Sequence, residues 1–157
     1  MKGEIISTEN RLLAALAHAS VTAQGIGILM GLLVYVSQRD KSRYAAYQGL
    51  QAAVYQLVNL IITIGMWMVW GVFYGVSIMA TIRLEGANPG AAPPVIFWIG
   101  LISMVIPIIY TTLVVLYGLW GALRTWQGKD FRYRIIGTWL EKSGLWKETP
   151  PPEKDKR

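Results

Sequence analysis

The chain has 157 residues, enough for one domain of ordinary size. Hydrophobic residues make up 54% of it and charged ones only 15%, against roughly 25% in a soluble protein, which excludes an ordinary soluble fold. With no cysteine, disulfides, thiolate catalysis and cysteine metal sites are excluded too; the net charge of +6 marks a lipid-facing side and implies no nucleic-acid partner.

The charges are clustered. Residues 12–36, 44–82 and 86–123 contain no Asp, Glu, Lys or Arg, and these runs of 25, 39 and 38 residues each exceed the ~20 needed to cross a bilayer core. The composition therefore predicts an all-α integral membrane protein. It has three transmembrane helices, with short interfacial helices before the second and after the third.

In chain order, residues 1–11 ("MKGEIISTENR") form a leader on the extracytoplasmic side, too acidic to open a cleaved signal peptide. The first span covers 12–36, ~37 Å of helix, with Asn10 as its candidate cap. It carries the only histidine, His18, about two turns in. After the turn "SQRDKSR", the second run is too long for one span at ~58 Å. The expectation is an interfacial segment near 44–48 and a span over 50–74. Tyr44, Gln48, Gln51, Tyr55 and Asn59 share one narrow arc of that helix, a packing stripe rather than a pore lining. The conformation of 75–94 is left open, apart from the breakers in "RLEGANPGAAPP". A third span, 95–123, should kink at Pro107, with Ser103, Thr111 and Thr112 satisfying the freed backbone groups. An amphipathic helix over 131–140 then lies on the membrane surface, and 141–157 is a charged, proline-rich cytoplasmic tail expected to be disordered.

Lysine and arginine counts favour an amino terminus outside and a carboxyl terminus in the cytoplasm of a bacterial inner membrane. Arg39, Lys41, Arg43, Arg124, Arg132 and Arg134 are the expected headgroup contacts. If the first run crosses as one helix, His18 reaches the depth of Ser103, its expected partner, and also lies one turn from Thr22. Gln24, near mid-membrane, would meet Asn59 or Thr63. Gly27 and Gly31, and likewise Gly71 and Gly75, would let helix backbones approach, within the chain or in self-association.

An ionisable group inside a membrane is a functional candidate by default. His18 is thus a candidate pigment or haem ligand, but two axial imidazoles cannot come from one histidine. A proton relay would want carboxylates at depth, and the runs hold none. The favoured reading is a neutral imidazole bridging helices, with no cofactor. No catalytic or metal-binding motif is found, and Glu85 and Asp130 read as isolated, solvated loop residues.

Three ordered motifs carry a resemblance. "RLLAALAHAS" supplies Arg11, Ala14, Leu16, His18 and Ser20; "YAAYQGLQAAVYQL" supplies Tyr44, Gln48, Gln51 and Ala52; "GKDFRYRIIGTWL" supplies Gly128, Lys129, Phe131, Arg132 and Tyr133. Together they resemble the small bacterial membrane family of unknown function related to the Tic-twenty component of the chloroplast import translocon. Gln48-Gly49 stands where that family often has His-Ala, and Arg134 replaces its usual proline. The resemblance implies a non-enzymatic accessory, assembly or scaffold subunit of a larger membrane complex, contacting lipid and other membrane proteins. An oligomeric translocon-like or small-solute channel is the alternative. A second alternative is a cofactor-bearing subunit of a photosynthetic or respiratory complex using His18.

Overall fold

A computed structural model describes residues 6–143 and Trp146. Most of the expected tail and the first five residues of the leader lie outside the described residues. The described residues form six α-helices and no strand: α1 (Thr8–Ala19), α2 (Gly25–Gln38), α3 (Arg43–Ala87), α4 (Val95–Ile102), α5 (Val105–Trp126) and α6 (Ile136–Lys142). They fall into two compact units, Met1–Gln56 with Leu119–Arg157, and Leu57–Gly118.

In the first unit, the opening apolar run is not one rod. Ser7, not Asn10, caps α1, its hydroxyl accepting the Asn10 N–H at 3.2 Å. The helix stops at Ala19, a single 3₁₀ turn covers Ser20–Ala23, and Gln24 takes φ 47°, ψ −120°. No α-helix continues through that left-handed residue. The following α2 folds back, so that Ala17 of α1 and Val34 of α2 are buried together against Ala52 of α3, with Leu13 beside them. The two arms have 12 and 14 residues, or ~18 and ~21 Å, each short of the ~30 Å hydrocarbon core. Among the described helices, α3 and the α4–α5 segment Val95–Trp126 are long and apolar enough to cross a membrane.

Glycine makes the contact between α2 and α3 possible. A Cβ on Gly31 would lie 2.8 Å from the Ala53 nitrogen and 2.9 Å from the Gly49 oxygen; one on Gly49 would lie 2.8 Å from the Gly31 oxygen and the Tyr35 nitrogen. The expected interfacial helix before the second span is absent. Helix α3 runs unbroken for 45 residues from Arg43, and its first three turns are buried by protein, including Tyr44, Tyr47, Gln48 and Gln51.

The second unit packs the middle and end of α3 against α4 and the start of α5. The α4–α5 break falls at Ser103 and Met104, four and three residues before Pro107. The proline ring cannot tolerate the helical carbonyl four residues back, so the kink lies upstream of the proline itself. The Thr111 hydroxyl donates to the Pro107 oxygen and the Ser103 hydroxyl to the Gly100 oxygen, both at 2.8 Å. The Trp70 indole N–H donates to the same Gly100 oxygen at 3.1 Å, and the Tyr110 hydroxyl donates to Asn59 Oδ1 at 2.7 Å. Glu85 is not isolated: its carboxylate accepts the Gly90 N–H, closing the turn after α3. Gly71 and Gly75 meet nothing within 4 Å. Large apolar side chains along this unit, such as Val69, Val72, Ile102 and Leu113, are exposed, as a lipid-facing surface requires.

The two kinds of glycine should respond in opposite ways. Gly31→Val should lower stability by about 2–3 kcal/mol through overpacking. Gly71→Ala should raise it by about 0.5–1 kcal/mol through helix propensity. Thermal melts in mild detergent check both, and equal effects at the two positions would contradict the packing described.

Candidate functional site: a buried polar knot

The polar residues of the first unit converge on His18. Helix α1 places it, fully buried, between α3 and the non-helical segment after α5. Its Nε2 lies 2.9 Å from Gln48 Oε1 and its Nδ1 3.0 Å from the Tyr133 hydroxyl. An amide oxygen only accepts, so Nε2 carries the proton and Nδ1 accepts from Tyr133. The imidazole is neutral and has no ring nitrogen left over. A pigment or haem metal would have to displace Gln48 or Tyr133.

The network continues through α3. Gln48 Nε2 donates to the Phe131 carbonyl at 3.0 Å and to Asp130 at 3.3 Å. Gln51 Nε2 donates to the same carbonyl at 3.1 Å, while its Oε1 accepts the Tyr133 N–H at 3.3 Å. The Tyr44 hydroxyl is shared between the Lys129 and Thr125 carbonyls. Three successive turns of α3 thus supply the hydrogen bonds that segment 128–133 lacks as irregular backbone. Aromatic packing closes the site: Tyr133 stacks on Tyr55 at 3.8 Å, and Phe131 sets its edge to His18 and fills the space over Gly121. Gly128, at φ 73°, turns the chain beneath the Arg11 guanidinium. Outside the knot, Arg132 bridges Asp130 and Glu141. Asp130 is therefore not the isolated loop residue expected.

The other anticipated contacts are placed differently. Thr22 donates to the Ala19 oxygen and is exposed, and Gln24 is the exposed residue at the α1–α2 turn. Ser20 donates to the Ala17 and Gly27 carbonyls. Asn59 accepts from Tyr110, Thr63 is half-buried, and Ser103 bonds within its own helix end. Among the expected headgroup residues, Arg39 pairs with Asp40, Arg43 lies over Trp146 and Arg124 over Trp120, while Lys41 and Arg134 are exposed. Sequence reasoning missed Gln56, which donates to the Ala17 oxygen and to Ser20 Oγ. It also missed Tyr133 as the histidine's partner. Ile135 and Trp139 remain exposed, but Leu140 of α6 is fully buried, so the expected surface helix is packed on protein along one edge.

Among the described residues, no three His, Cys, Asp or Glu side chains gather closely enough to hold a metal ion. An all-helical chain with two helices long and apolar enough to cross a membrane has the make-up of a helical membrane protein. The chain belongs to the MamF/MmsF family, the magnetosome magnetite crystal formation protein family, whose model matches residues 9–140. No curated protein and no solved structure matches it. The match overturns the Tic-twenty resemblance. The three motifs behind that resemblance all lie within residues 9–140, and Gln48-Gly49 was the discordant pair. Both residues have a local reason: Gln48 binds His18, and Gly49 admits the α2 backbone.

His18 lies outside the two helices long and apolar enough to cross a membrane. Burial lowers its pKa from 6.5 to about 4, with the Gln48 hydrogen bond opposing the shift. The unfolded chain therefore binds a proton more readily than the folded one. The stabilisation is complete above pH 6.5 and lost as the pH falls from 6.5 towards 4, by roughly 3 kcal/mol at most. Wild-type protein in detergent should melt at a lower temperature at pH 5 than at pH 7. His18→Leu should be less stable at pH 7 by about 2–3 kcal/mol, since Gln48 and Tyr133 lose a buried partner, and should lack the pH dependence over this window. A wild-type melting temperature unchanged between pH 7 and pH 5 would contradict a buried neutral imidazole.

Proposed function

We propose that this protein is a non-enzymatic component of the magnetosome membrane that serves magnetite crystal formation as an assembly or scaffold subunit. The observation that carries the reading is the family match, which runs across both spanning helices and the whole polar knot. The chemistry of the knot agrees with a structural role. Its centre, His18, Gln48, Gln51 and Tyr133, is made of neutral, hydrogen-bonded and buried side chains, which fix the fold without offering a reactive group. The exposed apolar surfaces of α3 and α5 suit contact with lipid and with other membrane subunits. The cationic cluster Arg39, Lys41 and Arg43, with Arg124 and Lys129, faces the cytoplasm in this reading.

Deleting the gene in a magnetite-forming host should reduce crystal number or size by electron microscopy, and the wild-type gene should restore them. Gln48→Leu, at matched membrane abundance, should restore them incompletely. Crystals unchanged by the deletion would defeat the proposal. Catalytic turnover of iron by the purified protein would defeat its non-enzymatic part.

A further inference from the structure

We infer that the α1–α2 hairpin is a re-entrant wedge seated in the acyl chains of a single membrane leaflet, with both chain termini on the same face of the membrane. Its occupant is the lipid monolayer, and four observations carry the inference. Neither arm is long enough to cross, at ~18 and ~21 Å against ~30 Å. The outward side of α2 is a continuous apolar stripe, Ile26, Leu29, Leu33 and Val36, exposed by 74, 59, 66 and 59%, with Leu12 and Leu16 exposed on α1. Water would not tolerate that stripe on a monomer, whereas hydrocarbon would.

At the turn, side-chain donors take the place of solvent on several backbone carbonyls. Ser20 Oγ donates to the Ala17 and Gly27 carbonyls, Thr22 Oγ1 to the Ala19 carbonyl, and Gln56 Nε2 to Ala17 again at 3.0 Å. The Ala17 and Ala19 carbonyls lie in the last turn of α1, where a water-exposed helix end would leave them to solvent.

The fourth observation is where the charges fall. The turn, residues 19–27, carries none, whereas both ends of the hairpin do. Arg39, Lys41 and Arg43 follow α2. Arg11, near the start of α1, rests on Gly128 beside Lys129. Cations at both open ends and an uncharged tip match one anionic headgroup layer with a single leaflet above it.

The absence of cysteine makes the test direct, because each introduced thiol is unique. Glu9→Cys, Ala23→Cys, Asn88→Cys and Lys142→Cys all fall at exposed positions. Each variant is treated with a membrane-impermeant maleimide in sealed vesicles of either orientation. Glu9→Cys and Lys142→Cys should label from the same face and Asn88→Cys from the other. Ala23→Cys should stay unlabelled from both faces until detergent opens the membrane. With an environment-sensitive fluorophore at Ala23→Cys, lipids brominated along their acyl chains should quench strongly. Labelling of Glu9→Cys together with Asn88→Cys would mean that the first run crosses, and would overturn the inference. Labelling of Ala23→Cys from either face of intact vesicles, or no bromolipid quenching, would overturn it as well.

Discussion

The rest of the first unit depends on one interaction, the pair of hydrogen bonds that occupies both nitrogens of a fully buried imidazole. Away from water an unpartnered polar group is costly, so His18 tolerates its position only while Gln48 and Tyr133 hold it. Gln48 is in turn fixed by the Phe131 carbonyl, and that carbonyl also receives Gln51. The irregular segment between α5 and α6 can therefore be buried without stranding its backbone. Polar satisfaction and apolar packing are the same event here: Tyr133 stacks on Tyr55 through its ring while its hydroxyl and amide complete the network.

A second constraint is the close seat of α2 on α3. Gly31 and Gly49 bring two backbones together at a distance that a single methyl group would prevent. The arm that returns after the reversal at Gln24 rests on this seat. The second unit keeps its helices together by another means, with Trp70 on Gly100, Tyr110 on Asn59 and a serine held against Gly100. Small residues appear in both units, but they mark contact in only some places. Gly71 and Gly75 have the same spacing as Gly27 and Gly31 and touch nothing.

The helical, membrane-embedded character was legible in the charge distribution, because hydrocarbon tolerates few other compositions. The Tyr44/Gln48/Gln51/Tyr55 arc was legible as a packing stripe for a similar reason: polar residues at helical spacing in an apolar run need partners. Which partners they have was not legible. His18 meets Tyr133 across 115 residues of sequence, and no local pattern encodes such a pairing. The choice of Ser103 followed from treating residues 12–36 as one crossing rod, and a single dihedral at Gln24 undoes that geometry. The only hint was the polar–glycine step Gln24-Gly25 within an otherwise oily run. Pro107 was expected to kink one continuous helix; instead the helix is interrupted at Ser103 and Met104, where the ring would strike a carbonyl.

The distance between His18 and Tyr133 along the chain also has a temporal meaning. At ~5–20 residues per second, synthesis takes on the order of ten seconds to travel from one to the other. During that interval the nascent chain holds the α1 imidazole, and then the two α3 glutamines, before their partners in the carboxyl-terminal segment exist. A ribosome product that ends before Phe131 therefore leaves those side chains without the partners that hold them.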